Sequence, residues 1–252
     1  MKHFLHFAVL SIVALSATAI LPSWSGLLSA KSAPILLSQN VNFKPPDVTA
    51  PDNRQGATHR GTTCQNDLSI VPLIPPSNSG LTVTDSPTFF AYVSQAATPV
   101  EFTLQIKDTQ GTKIYQTAFT VDKPGVVGVK IPTDGDNKKS LEVGKEYQWS
   151  FAVICNPEQA KLGDRSGDYF VEGYVQRIEP ESTLKSELAN NPDPMARAIA
   201  YAKNEIWYDT VATLAQMRRK APNDAKLTAE WRQLLQSQKL DSVADKPLVQ
   251  SF

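Results

Sequence analysis

The chain has 252 residues, 41% of them hydrophobic and 20% charged, with Lys plus Arg and Asp plus Glu both at 25. That length holds one large or two small domains, and the composition is that of a globular protein. A net charge of zero supplies no field for nucleic acid or for an anionic bilayer, so nucleic acid is excluded as a partner class.

Met1-Lys2-His3 precedes an apolar run from Phe4 to Leu21 that holds no charged residue apart from His6. A basic residue before an apolar core is the pattern of a secretory signal. Small residues follow at Ala17-Thr18-Ala19 and at Ala30-Lys31-Ser32. Residues 1–32 therefore read as a signal peptide, and the chain as exported, periplasmic or extracellular. The run also approaches spanning length, so a retained N-terminal anchor is the alternative, and the membrane is a partner only in that case. Residues 33–60 carry Pro34, Pro45, Pro46 and Pro51 without apolar periodicity, which predicts a disordered linker. Arg54, His59 and Arg60 at its end read as solvated charges.

Cys64 and Cys155 are the only two cysteines. An even count in an exported chain suits a disulfide. Such a bond ties the start of the folded domain to the stretch Glu146–Cys155. There Tyr147, Trp149, Phe151 and Val153 alternate with Gln148 and Ser150, then with Ala152 and Ile154. Period-two alternation sends these sets to opposite faces of a sheet. The stretch becomes apolar on both faces towards Cys155, which marks a central strand.

Other strand signals recur around it: Leu68–Val71, Thr88–Val93, Val100–Lys107, Lys113–Val121, Val126–Ile131 and Tyr169–Ile178. Asp108-Thr109-Gln110-Gly111 joins the third and fourth of these as a hairpin. With no helical period between them, they predict an all-β antiparallel sandwich of about seven strands, immunoglobulin- or fibronectin-like, over residues 61–179. The period changes after Pro180. Helices are expected over Glu181–Ala189, from Pro194 with Asp193 as N-cap, over the Trp207, Val211, Leu214, Ala215 stripe, and over Leu227, Trp231, Leu234, Leu235. These make a small α-helical appendix at 180–245, followed by a tail at 246–252. Trp207-Tyr208-Asp209 to Ala221-Pro222-Asn223-Asp224 resembles the second helix of a tetratricopeptide repeat and its Pro-ended turn. About one and a half such units fit, too few for a free-standing stack.

Catalytic chemistry is poorly supplied. The three histidines are His3, His6 and His59, so the folded region offers no Ser-His or Cys-His pair and no usual zinc sphere. Gly163-Asp164-Arg165-Ser166-Gly167 places its Ser one position late for a nucleophile elbow and reads as a turn. Asp134-Gly135-Asp136-Asn137 lacks the spacing of a calcium loop. No phosphate-binding glycine motif occurs. The expectation is no catalytic residue, no metal and no cofactor. Glu101, Glu142, Glu146 and Glu172 sit at strand positions and keep a carboxylate-dependent glycan hydrolase open as an alternative. Aromatics falling on both faces of a strand, Phe90 and Tyr92 on one and Tyr169 and Phe170 on another, are the candidate partner-binding residues, unless the helices cover that face.

Several pieces together are similar to a domain-of-unknown-function family of exported cyanobacterial proteins. They are Arg60-Gly61-Thr62-Thr63-Cys64, Gly80-Leu81-Thr82, Ser86-Pro87-Thr88-Phe89-Phe90-Ala91-Tyr92-Val93, Leu141–Tyr147 with Cys155, Gly173-Tyr174-Val175 with Arg177-Ile178, and Ile206-Trp207-Tyr208-Asp209. The resemblance covers Gly61 to Val249 and implies no activity or site residues. Where the family often has Gly before Ile-Trp-Tyr, this chain has Asn204-Glu205. The function expected is a non-enzymatic module of the cell envelope that binds an envelope protein or glycan; a purely structural envelope component is the third reading.

Overall fold

A computed structural model describes residues 40–45, 57–58, 64, 67–133 and 140–252. The signal or anchor segment, most of the expected linker including Arg54, His59 and Arg60, and the 134–137 loop lie outside them. In chain order the strands are β1 (Ala57–Thr58), β2 (Ile70–Pro72), β3 (Ser79–Thr82), β4 (Thr88–Val93), β5 (Ala97–Ile106), β6 (Lys113–Val121), β7 (Gly125–Lys130), β8 (Glu146–Val153), β9 (Tyr169–Arg177) and β10 (Leu248–Ser251). The helices are α1 (Pro157–Lys161), α2 (Ser182–Asn190), α3 (Pro194–Lys203), α4 (Trp207–Lys220) and α5 (Ala225–Ser237), then a 3-10 turn at Asp241–Val243.

The alternation read in the sequence sets the architecture. β8 lies between β5 and β9 in a six-stranded sheet, ordered β1-β9-β8-β5-β6 with β3 also on the β9 edge. Its Tyr147, Trp149 and Phe151 are buried, whereas Gln148 and Ser150 are only half-buried on the outer face. The second sheet has four strands, β10-β7-β4-β2. Phe89 of β4 meets Phe102 of β5 and Trp149 of β8 across the interior, with ring centres 5.1 and 5.5 Å away. Trp149 stands opposite Gly173 of β9. A Cβ added at Gly173 would lie 2.6 Å from Ile74 Cδ1 and 2.7 Å from Trp149 Cζ2, so the indole fits because this position has no side chain.

The sandwich is mixed, not purely antiparallel. β3 runs parallel to β9, and β10 runs parallel to β7. A hairpin imposes antiparallel pairing only on the strands it joins. The chain reaches β3 by crossing from one sheet to the other after β2, and reaches β10 after the helices, so neither pairing is constrained by a tight turn. The stretch 246–252, expected to be a tail, thus supplies a sheet edge. Val41 and Phe43, inside the expected linker, are buried. Val41 N donates to Glu230 Oε2 at 3.0 Å, and the Phe43 ring meets Trp207 edge-on at 4.9 Å.

The helices begin where their sequence says. Asp193 caps α3 by accepting from Met195 N and Ala196 N, and Asp224 caps α5 by accepting from Lys226 N and Leu227 N. Ser38–Phe252 forms one compact unit. Trp207, Val211, Leu214, Trp231 and Leu234 belong to the same buried cluster as Phe89 and Trp149. The core therefore continues past residue 179 into the helices, which pack on the sheets of their own chain. Cys64 and Cys155 are joined by a disulfide, Cα to Cα 4.7 Å, an ordinary span for such a bond.

Candidate binding site

β4 is buried on both faces. Phe89, Ala91 and Val93 point between the sheets, so Phe90 points outward, with only 4% of its surface exposed, and Tyr92 points outward half-buried. Their cover is cationic. The Arg219 guanidinium of α4 lies 6.0 Å from the Phe90 ring centre, and the Lys246 ammonium lies 5.5 Å from that of Tyr92. A third cation, Arg218, lies 5.1 Å from the Trp231 ring. A Cβ on Gly128 would come within 2.8 Å of Phe90 and 3.3 Å of Arg219 Nη2, so this glycine of β7 makes room for both.

Tyr169 and Phe170 are neighbours on β9 and point to opposite faces. Tyr169 packs at the margin of the core. Phe170 lines a pocket of about 140 Å³ on the six-stranded sheet together with Thr103, Gln105, Gln148, Trp149, Ser150 and Glu172. There Gln105 Nε2 donates to Gln148 Oε1 at 2.8 Å, and Gln148 Nε2 donates to Glu172 Oε2 at 2.7 Å. The four aromatics thus lie on three separate surfaces.

Phe90 forms part of a larger feature, a groove of about 360 Å³ between α4 and the outer face of the four-stranded sheet. From the sheet side it is lined by the 84–88 turn and strand start, Phe90, Lys130 and Ser251; from the helices by Tyr201, Tyr208, Asp209, Ala212, Thr213, Gln216 and Arg219. Its size is that of small-ligand sites, roughly 300–1,000 Å³. The α4 residues recur at helical spacing, so one face of the helix forms the wall. Strand register forms the opposite wall: Thr88 stands beside Lys130, and Phe90 beside Gly128, which in turn stands beside Ser251.

Asp209 closes one end. It is 8% exposed, and its Oδ2 accepts from Thr82 Oγ1 at 2.7 Å and Val83 N at 3.2 Å. Burial pushes its carboxyl up to about 6, against the lowering pull of those hydrogen bonds. A hydroxyl bonded to a carboxylate suggests an activated nucleophile, but Thr82 is fully buried on β3 and is not presented to a substrate. Beside it, Tyr208 accepts from Trp149 Nε1 at 2.6 Å and donates to the Tyr174 carbonyl at 2.8 Å. Burial raises its hydroxyl pKa well above the usual phenol value. These groups brace α4 against the sheets. At the other end Arg219 Nη2 donates to the Gln250 carbonyl at 3.2 Å. Desolvation lowers the pKa of Arg218 and Arg219; for Arg218 the next cause is the charge of Arg232.

Glu101, Glu146 and Glu172 lie on strands, while Glu142, expected on one, lies in the turn before β8, and each of the four is engaged elsewhere. Glu101 pairs with Arg165 at 3.1 Å, Glu142 with Lys145 at 2.9 Å and Glu146 with Lys107 at 2.9 Å, while Glu172 accepts from Gln148. None of them lines the groove. Asp209 and Arg219 were hidden in the sequence as an acid in the first turn of a helix and a base in its last, where helices commonly carry them. Asp209 was singled out only as part of the Trp207-Tyr208-Asp209 stretch, through the two resemblances that include it.

The fold and the groove define a two-sheet β module with a helical layer packed on it and a polar ligand-sized groove beneath one helix. The chain belongs to the family described as Domain of Unknown Function (DUF928), which matches residues 55–248. No curated protein and no solved structure matches it.

Proposed function

We propose that the chain is a non-enzymatic binding module of the cell envelope, exported from a cyanobacterial cell, with the groove beneath α4 as its ligand seat and a glycan as its ligand. The observation that carries this reading is the groove lining of hydroxyls, an amide and two cations over a wall built by strand register and helix spacing. Export is supported by the basic residue and apolar run at the N-terminus and by the pairing of the only two cysteines. The engagement of Glu101, Glu142, Glu146 and Glu172 by partners of their own favours binding over glycan hydrolysis. We read the sandwich as immunoglobulin-like and α4–α5 as a tetratricopeptide-type pair, the first supported by two packed sheets, the second by the Pro222 turn with its Asp224 cap.

An oligosaccharide array probed with the full chain tests the function. The reading expects retention of a glycan that is recovered chemically unchanged, with binding at least tenfold weaker in Thr213→Trp, which fills the groove. Retention unaffected by Thr213→Trp, or turnover of the bound glycan, would sink it.

A further inference from the structure

We propose that the groove takes an acidic oligosaccharide, whose uronate carboxylate or sulfate is met by Arg219 and Lys130 while its hydroxyls are met by Thr88, Gln216 and Ser251. The inference rests on the reading of the groove as the ligand seat and adds the chemical class of the ligand. Its first support is the charge of the lining, in which Lys130 and Arg219 are the cations and Asp209 the one acid. Six cations elsewhere are held in ion pairs, Lys107 with Glu146, Lys145 with Glu142, Lys161 with Glu158, Arg165 with Glu101 and Asp168, Lys185 with Glu179, and Arg232 with Asp245. Among the described residues, no carboxylate forms an ion pair with Lys130 or Arg219, the two cations of the lining. Arg219 lies over the Phe90 ring instead. The exposed Arg219 guanidinium, with Nη2 on the Gln250 carbonyl and no counter-charge, keeps the rest of its donor fork for an incoming anion.

Position supplies the second support. Lys130 stands beside Thr88 in register, Ser251 lies in the next row beside Gly128, and Gln216 is one helical turn from Arg219. Among the described residues, the Thr88 hydroxyl, the Gln216 amide and the Ser251 hydroxyl have no protein hydrogen-bond partner. By contrast the Thr213 hydroxyl is spent on the Asp209 carbonyl, and the Ser86 hydroxyl on the Ile131 carbonyl. The one carboxyl in the lining, Asp209, sits ten residues back along α4, about 15 Å away at the rise of an α-helix, and is tied to Thr82 and Val83.

The form of the seat selects a sugar over other anions. A planar bilayer cannot enter a groove between a helix and a sheet. A peptide anchors by burying an apolar side chain, and Phe90, the aromatic of the sheet wall, already lies under Arg219. Free hydroxyl and amide groups beside a cation are the complement of a pyranose that carries an acid.

The test titrates the full chain with oligogalacturonate, with a sulfated galactan oligosaccharide and with neutral galacto-oligosaccharide of equal length. Vesicles of phosphatidylglycerol form a separate arm. At least one acidic probe is expected to bind ten times or more tighter than the neutral one, more weakly as salt rises. Arg219→Gln and Lys130→Gln are each expected to lose about tenfold, with Arg219→Lys, which keeps the charge but not the fork, losing less than Arg219→Gln. Equal binding of acidic and neutral probes, abolished by Thr213→Trp but indifferent to Arg219→Gln and Lys130→Gln, overturns the acidic class and leaves the seat intact. Binding of an acidic probe indifferent to all three substitutions overturns both. Failure of both acidic probes, with or without Arg219-dependent vesicle binding, overturns the acidic glycan.

Discussion

Asp209 shows how a residue can carry stability in one protonation state and cost it in another. Its carboxyl, nearly free of water, titrates at about 6 in the folded chain against a reference of 3.8. Between those values the folded state binds the proton and the unfolded state does not. The stabilisation from this group is therefore complete below pH 4 and is lost as pH rises through 6. Two pH units correspond to about 3 kcal/mol. Asp209→Asn keeps an acceptor for Thr82 and Val83 but does not titrate. Urea unfolding of wild type and variant at pH 4 and pH 8 should show the difference in unfolding free energy moving by about 3 kcal/mol against the wild type at the higher pH. A difference that stays constant across that range would show that the carboxyl is not desolvated as the fold implies.

At the scale of elements, the turn between α3 and α4 carries a conformation that its sequence resists. Glu205 has φ +62°, and Ile206 N reaches back to the Tyr201 carbonyl at 3.0 Å. The left-handed region costs a residue with a Cβ roughly 1–2 kcal/mol. Glu205→Gly should raise the unfolding free energy by about 1 kcal/mol, part of the gain being returned through the greater freedom of Gly in the unfolded chain. An unchanged or lower urea midpoint would show that Glu205 is held without strain. The break near Asn204 was readable because Ala202 ends one apolar stripe and Trp207 begins another. β5 and β8 were readable by side-chain alternation, β4 by its run of aromatic and apolar residues, and the caps at Asp193 and Asp224 by their chemistry. β3 was not. Its Gly80 has no side chain because Tyr208 and Trp207 would lie 2.9 and 3.1 Å from a Cβ there, so the packing that fixes the strand erases its pattern. The direction of β3 and β10 has no local signature, since it depends on partners far along the chain. The groove was invisible for the same reason: Thr88, Lys130, Arg219 and Ser251 meet only through sheet register and helix placement.

For the whole molecule, the buried tryptophans and the disulfide decide how unfolding proceeds. Trp149 of the six-stranded sheet and Trp207 and Trp231 of the helices lie in one continuous cluster, so sheets and helices should lose structure together. The disulfide joins residues 91 apart, from the approach to β2 in one sheet to the end of β8 in the other. Closing a loop of that length restricts the unfolded chain by about 4–5 kcal/mol on the chain-entropy account. Replacing both cysteines, Cys64→Ser with Cys155→Ser, should therefore lower the unfolding free energy by about that amount while leaving one transition. Tryptophan fluorescence reports burial in both layers, and far-ultraviolet circular dichroism reports the helices more strongly than the strands. Coincident urea curves from the two probes, shifted to a lower midpoint in the variant, are the expected result. Curves that separate would mean that the helices are a detachable domain and the shared cluster does not couple them to the sheets. A midpoint that does not move would mean that the bond constrains an unfolded chain already held compact, or that the two thiols are not joined in the folded protein. Alkylation of unreduced, denatured wild type distinguishes these: joined cysteines take no label until reductant is added.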